Sequence, residues 1–213
     1  MDEILEILQP SDTVLDLGCG PGSFDYSRYS FQIVGMDLFL DPKGLYKDAD
    51  RVHYVRSEAE EIPLETGSVD LVFCNHSLEH FPGYKRTLTE IGRVLSPEGV
   101  LWITVPDGYS FDDTLFRHIF SGGGHVNQFR RDRLAAEVSE RTGTELIQTL
   151  RLYSGFVYLK IPTPEQLIHF PETAEYLADI PERLSTLWIT SVNLFTRMVD
   201  KILGSDSSLY GWG

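Results

Sequence analysis

A glycine-rich turn, with an acidic residue two positions before its first glycine, is the part of this sequence whose residue types and spacing point most clearly to ligand binding. The stretch Val14–Gly22 starts with apolar, strand-type residues that include Asp16, and it continues with Gly18, Gly20 and Gly22. Glycine allows backbone angles and close approaches that a side chain would block. A strand that runs into such a turn forms the ligand crevice of an open α/β sheet. The turn therefore predicts a site for a nucleotide-like ligand.

A second acidic residue stands at the distance expected for a ribose contact. Asp37 ends another apolar run and follows Asp16 by 21 positions. An acid about 20 residues past a glycine turn can accept hydrogen bonds from a ribose diol. The dinucleotide fingerprint would place its third glycine at position 23, where this chain has Ser23. A nicotinamide-dependent oxidoreductase is therefore a weaker alternative.

The stretch Val14–Gly22 resembles the nucleoside-binding motif of class I S-adenosylmethionine-dependent methyltransferases. Two further blocks, Asp70–His80 and Arg93–Val105, also resemble that family, and the likeness spans residues 11–150. The resemblance implies a three-layer, Rossmann-like α/β fold whose sheet is mostly parallel. It also implies an antiparallel C-terminal strand, which is either short here or truncated by the end of the chain. S-adenosyl-L-methionine would be the methyl donor and S-adenosyl-L-homocysteine the product.

The resemblance also implies which residues bind the donor. They are Asp16, Gly18, Cys19, Gly20, Gly22, Asp37, Leu38, Glu58, Ala59, Asn75 and His76. Many family members have Asp at the position of Glu58, whose longer side chain would contact the adenine amino group here. Asn75, His76 and His80 follow the predicted central strand 71–74 and would lie beside the reactive methyl group.

Methyl transfer from a sulfonium is an in-line displacement, so the protein chiefly aligns the reactants and excludes water. A base is needed only where the acceptor must lose a proton. Histidine titrates near neutrality, and the candidates are His76, His80, His118 and His125. His125 is the first choice and His80 the second, with a purely structural role as the alternative for each. No histidine or acidic cluster has metal-ligand spacing, so the sequence predicts metal-independent transfer.

Periodicity and turn signals predict the elements that position these residues. Strands are expected at 13–17, 32–37, 52–55, 71–74, 100–106 and 145–153, and helices at 4–8, 23–30, 83–95, 130–141 and 184–202. The chain is expected to form one domain, 1–213, in which segments 107–128 and 155–203 cover the substrate. The 184–202 helix would pack on the sheet, cap the pocket or form a homodimer.

Charge and composition limit the classes of partner. The 213 residues carry a formal net charge of −14, which repels phosphate backbones and argues against a nucleic-acid partner. The two cysteines make no disulfide framework, and no apolar run is long enough to span a membrane. The acidic N-terminus is unlike a signal peptide, so a cytoplasmic location is expected. The sequence thus predicts methylation of a small-molecule acceptor, with a non-catalytic donor-binding protein on the same fold as the alternative.

Overall fold

The computed structural model describes residues 2–40, 50–110 and 124–150, together with seven helical positions between 190 and 202. The strands are β1 (Thr13–Leu17), β2 (Gln32–Asp37), β3 (Val52–Arg56), β4 (Val69–Asn75) and β5 (Leu95–Thr104). The helices are α1 (Asp2–Glu6), α2 (Tyr84–Val94) and α3 (Arg131–Thr142), and short 3-10 turns occur at Tyr26–Arg28 and Leu78–His80.

The five strands form one parallel sheet in the order β3-β2-β1-β4-β5. The chain moves outward in one direction from β1 to β3 and then returns to the other side of β1 with β4. This reversal between β1 and β4 is a topological switch point, where open α/β sheets bind ligands beyond the carboxyl ends of the strands. The predicted Rossmann-like, mostly parallel fold is confirmed.

The central strands are buried on both faces, as expected for a parallel sheet covered on both sides. On one face, Leu15 and Val72 belong to the same apolar cluster as Leu88 and Ile91 of α2 and Leu134 of α3. The predicted 83–95 and 130–141 helices are confirmed. As predicted, the second ends at Gly143, which has a left-handed φ of 75° and donates its N–H to the Ser139 carbonyl.

The other face of the sheet is covered by aromatic side chains. The segment that carries several of them, 23–30, was predicted to be a helix, and that prediction was wrong. Only a 3-10 turn at Tyr26–Arg28 forms there. Phe24 packs edge-on against Phe73 of β4 with ring centroids 5.4 Å apart, and Tyr26 and Phe31 are 2% and 1% exposed. Irregular backbone lets these neighbouring aromatic side chains all reach the sheet, so packing outweighs the weak helix propensity of this segment.

Two strand predictions also need correction. β5 begins at Leu95, before the Ser96–Gly99 turn that was expected to precede it, and Pro97 is tolerated because β5 is the edge strand of the described sheet. The predicted strand 145–153 does not form over its described part, 145–150. Leu146 and Ile147 are 59% and 89% exposed, so this stretch lacks the packing that a strand would need.

The chain divides into two compact units. One comprises Met1–Pro106, Gly124–Leu150 and Trp212–Gly213 and contains the sheet, and the other comprises Asp107–Gly123 and Arg151–Gly211. Most of the predicted cover segments, and the predicted terminal strand, lie outside the described residues, so the single-domain arrangement stays a prediction. Among the described helices, none is long and apolar enough to cross a membrane.

Candidate functional site

The glycine turn joins the carboxyl end of β1 to those of β2 and β4. Gly18, with a φ of 72°, donates its N–H to the Met36 carbonyl at 2.7 Å. A Cβ on Gly18 would lie 2.5 Å from the Cβ of Ser77, whereas a Cβ on Gly20, whose φ is 50°, would meet no atom within 4 Å. The turn is therefore closely packed at Gly18 and open at Gly20. Gly22 has a φ of 123°, so all three glycines adopt backbone angles that disfavour other residues.

Asp16 lies beneath this turn and is completely buried. Its carboxylate accepts hydrogen bonds from the Ser23 N–H at 2.9 Å, the Ser23 hydroxyl at 2.6 Å and the Tyr26 hydroxyl at 2.6 Å. Burial raises the pKa of Asp16, while the hydrogen bonds from Ser23 and Tyr26 oppose that shift. Asp16 thus supports the turn from within the chain. Sequence reasoning missed Ser23 and Tyr26, because only the fold brings them to Asp16.

Asp37 is held at the carboxyl end of β2, beside the open part of the turn. Its Oδ2 accepts the Gly20 N–H at 2.9 Å, and its Oδ1 accepts the Phe39 N–H at 2.8 Å. Each carboxylate oxygen can accept more than one hydrogen bond, so a ribose diol could still bind. Leu38, the next predicted contact, is 40% exposed.

In the segment after β3, the two residues expected at the adenine differ in their exposure to solvent. Glu58 is exposed, whereas Ala59 is 6% exposed and packs in the apolar cluster. Glu60 accepts the Gly83 N–H at 2.8 Å. The Arg93 guanidinium also donates hydrogen bonds to the carbonyls of residues 62 and 64, at 2.7 and 2.8 Å. The segment is therefore fixed against the start and end of α2.

The carboxyl end of β4 contacts both β5 and the glycine turn. The Asn75 side-chain oxygen accepts the Thr104 hydroxyl at 2.7 Å, and the His76 N–H donates to the Thr104 carbonyl at 3.0 Å. His76 has a φ of 50°, which is uncommon outside glycine and turns the chain sharply after the strand. Ser77 donates its hydroxyl to the Gly18 carbonyl at 3.2 Å. The end of β4 is thereby joined to the turn.

Glu79 is a buried acid at the site that sequence reasoning missed. Its side chain is 2% exposed, and Oε1 lies 3.7 Å from Nδ1 of His76. Among the described residues, its Oε2 accepts no hydrogen bond. Nothing in the sequence around Glu79 indicated that this acidic side chain would be buried.

His80 and His125 lie together although 44 residues separate them in sequence. Their ring centroids are 5.0 Å apart. Nδ1 of His80 is 3.0 Å from the carbonyl oxygen of Gly124, and a carbonyl can only accept, so Nδ1 carries the proton. His118, the remaining base candidate, lies outside the described residues.

Both cysteines are inaccessible. Cys19 in the turn is 3% exposed and Cys74 in β4 is 0% exposed. Burial is the largest cause that raises the pKa of each thiol. Cys19 can therefore offer its backbone to a ligand, while its sulfur behaves as a small apolar group.

The sequence of this chain is similar to those of known methyltransferases. A family model described as "Methyltransferase domain" matches residues 1–149. A malonyl-[acyl-carrier protein] O-methyltransferase of Enterobacter lignolyticus is 33% identical over 147 residues, which cover 64% of this chain and 57% of the relative. The chain spans about half the length of the curated relatives that it matches.

Solved structures show the same fold. A protein of Bacillus halodurans, provisionally assigned as a methyltransferase, has a TM-score of 0.63 and 20% identity, with 87% of this chain and 85% of that chain covered. A phosphoethanolamine N-methyltransferase of Haemonchus contortus has a TM-score of 0.62 and 19% identity, with 99% of this chain and 49% of that chain covered. Together with the family model, which extends over more than half of the chain, the sheet order and the glycine turn place this chain in the class I S-adenosylmethionine-dependent methyltransferase family.

Proposed function

We propose that this chain transfers a methyl group from S-adenosylmethionine to a small-molecule acceptor, by alignment and in-line displacement. The observation that carries the proposal is the meeting of the glycine turn, Asp37 and the end of β4 at the switch point of the sheet. The donor supplies an electrophilic methyl group on a positively charged sulfur. The chain would need to bind that donor, exclude water and position the acceptor.

The described residues fit such a donor. Space beside Gly20 lets a ligand approach the backbone, since a Cβ there would meet no atom within 4 Å. Asp37 would bind the ribose, and the backbone around Cys19 and Gly20 the amino-acid part. Glu58 and the backbone of Ala59 would contact the adenine. Asn75 and His76, at the end of β4, would lie near the reactive methyl group.

The acceptor side is proposed for the His80 and His125 end of the site. The prediction that His125 or His80 removes a proton from the acceptor stays a prediction, since a base is needed only for some acceptors. The net charge of −14 favours a small molecule over a nucleic acid. The name of the Enterobacter relative adds an acyl group on a carrier protein to the acceptors worth testing.

Asp37 provides the first test of the donor site. Asp37→Asn removes the charge that would bind the ribose diol, so we expect affinity for S-adenosylhomocysteine to fall by roughly ten- to a hundredfold, about 1.5–3 kcal/mol for hydrogen bonds to a charged group. Isothermal titration calorimetry measures this change. Asp50→Asn, at an exposed turn position, is the matched control and should bind like the wild type. Absence of binding by the wild-type chain would overturn the donor site itself.

Catalysis needs a separate experiment, because a donor-binding protein without activity would pass the first. The chain is incubated with donor labelled on its methyl group, together with a fractionated metabolite pool and with acyl-carrier proteins. Labelled product above a protein-free blank supports catalysis of methyl transfer. Donor binding without transfer to any fraction supports the non-catalytic alternative.

A further inference from the structure

Glu79, His80 and His125 form a cluster whose side chains could share one cation. Each offers one ligand atom, and the three atoms all lie within 4.8 Å of one another. A zinc ion binds imidazole nitrogen and carboxylate oxygen at about 2.0–2.2 Å, which places tetrahedral ligand atoms about 3.4 Å apart. Small side-chain rotations would therefore bring the three atoms to coordination distance.

The chain positions this cluster with backbone hydrogen bonds. The N–H groups of Val126 and Asn127 both donate to the Glu79 carbonyl, at 2.9 and 3.0 Å. The Asn127 side chain also donates to the Phe81 carbonyl at 2.7 Å. These bonds fix the segment that carries His125 against the turn that carries Glu79 and His80. The histidines therefore meet because of specific contacts within one unit of the chain.

His80 has the orientation that a metal ligand needs. Its Nδ1–H donates to the Gly124 carbonyl at 3.0 Å, which leaves the lone pair on Nε2. Metal-binding histidines usually donate their other ring N–H to a carbonyl or carboxylate, which fixes the tautomer and the ring. A Cβ at Gly124 would lie 3.3 Å from this Nδ1, so glycine keeps the carbonyl close to the imidazole.

Glu79 supplies an independent observation. Its side chain is 2% exposed, and Oε2 accepts no hydrogen bond from the described residues. Oε1 lies 3.7 Å from Nδ1 of His76, which is longer than a hydrogen bond. A buried carboxylate is costly unless it is paired or binds a metal. A cation between Glu79 and the two imidazoles would satisfy it.

We propose that Glu79, His80 and His125 bind one divalent transition-metal ion, with Zn²⁺ as the best fit to two imidazoles and a carboxylate. Three protein ligands leave a position for water or for an oxygen of the acceptor. Both imidazole lone pairs would then be occupied, so neither histidine would act as the base. The sequence predicts metal-independent transfer because its histidines lack metal-ligand spacing, and folding brings them together.

Metal binding is measured on the full chain, without donor or acceptor. The metal-depleted protein is titrated with Zn²⁺ by calorimetry, and Co²⁺ is used as a visible-light probe. We expect one high-affinity ion per chain, and a Co²⁺ spectrum of four- or five-coordinate intensity. His125→Ala and His80→Ala should each weaken Zn²⁺ binding by at least about tenfold. His53→Ala, at an exposed position on β3, is the matched control and should bind like the wild type.

The outcomes are distinguishable from a general loss of fold. Circular dichroism melting of each variant shows whether it folds, and the wild-type Co²⁺ spectrum needs no variant. Loss of binding in both site variants, with binding retained in His53→Ala, supports the site. The proposed site is overturned if the wild type does not bind Zn²⁺, or if both site variants bind Zn²⁺ as tightly as the wild type does. A six-coordinate, water-like Co²⁺ spectrum would also overturn it. These results do not depend on donor binding, so failure here leaves the proposed function to its own tests.

Discussion

Asp16 combines a buried position with three hydrogen bonds from its own chain. Ser23 and Tyr26 provide these bonds, and they also fix the path of the backbone that leaves the glycine turn. A carboxylate without such partners would be strongly destabilising in the interior. The stability of the turn therefore depends on residues that would not contact a ligand.

Tyr26→Phe tests this dependence. The change removes the 2.6 Å hydrogen bond to Asp16 and keeps the ring that covers the sheet. We expect the free energy of unfolding to fall by about 1–3 kcal/mol, the cost of leaving a buried acceptor short of a donor. Urea denaturation followed by circular dichroism measures it. Tyr29→Phe, at a half-buried ring nearby, should have a smaller effect than Tyr26→Phe. Equal effects of the two variants would contradict the role assigned to Tyr26.

The two thiols give a second prediction at this scale. Burial raises the pKa of Cys19 and of Cys74, which lowers the fraction of reactive thiolate as well as access to it. We expect the folded chain to react with Ellman's reagent at pH 8 more slowly than the denatured chain, by roughly two orders of magnitude, since reaction requires local opening. Absorbance at 412 nm follows the reaction. In denaturant both cysteines should react fast, and rapid reaction of either one in the folded chain would contradict its burial.

Predictions for single residues succeeded where the position of the residue is set by the strand to which it belongs. Asp37 could be placed at a strand end because an apolar run precedes it, and the structure finds it there. The contact between His80 and His125 could not be predicted, since it depends on hydrogen bonds from a distant segment to the Glu79 carbonyl. The burial of Glu79 arises in the same way.

At the scale of elements, the glycine turn couples β1 to β4. Gly18 faces Ser77 at the end of β4, whereas Gly20 faces open space, although both have left-handed backbone angles. The two glycines therefore separate a packing role at Gly18 from the binding role proposed for Gly20.

Alanine substitutions at these two positions should have different effects. Gly18→Ala adds the left-handed strain and a Cβ 2.5 Å from the Ser77 Cβ, so we expect at least about 3 kcal/mol of destabilisation. Gly20→Ala adds the strain alone, about 1–2 kcal/mol, but its methyl group enters the proposed donor space. Thermal melting and S-adenosylhomocysteine titration together measure both effects. Greater destabilisation by Gly20→Ala than by Gly18→Ala would contradict this division.

Strands were predicted better than connections, for a physical reason. The runs at 13–17 and 32–37 are apolar enough to be buried on both faces of a sheet, and they form β1 and β2 with the predicted bounds. Segment 23–30 failed because its aromatic side chains pack from irregular backbone onto Phe73. Segment 145–150 failed because apolar residues such as Leu146 and Ile147 do not by themselves show whether a surface is available to bury them.

At the scale of the whole molecule, the large negative charge follows directly from the sequence. The formal net charge of −14 attracts cations and repels anions over distances longer than a hydrogen bond. S-adenosylmethionine carries a sulfonium charge that S-adenosylhomocysteine lacks. The whole-chain field should therefore favour the donor over the product, in addition to any contact within the site.

Salt should reveal this contribution. The Debye length falls from about 10 Å at 0.1 M ionic strength to about 3 Å at 1 M, so added salt screens the attraction of distant acidic residues for the donor. We expect the affinity for S-adenosylmethionine to fall by roughly two- to fivefold relative to that for S-adenosylhomocysteine between 50 mM and 500 mM NaCl, as for a surface potential of about one kT or slightly more. Calorimetric titrations of both ligands at several salt concentrations measure this ratio, and sucrose at matched osmolarity controls for non-ionic effects. A ratio independent of salt would mean that the preference for donor or product arises from contacts within the site, and that the acidic surface contributes nothing to it.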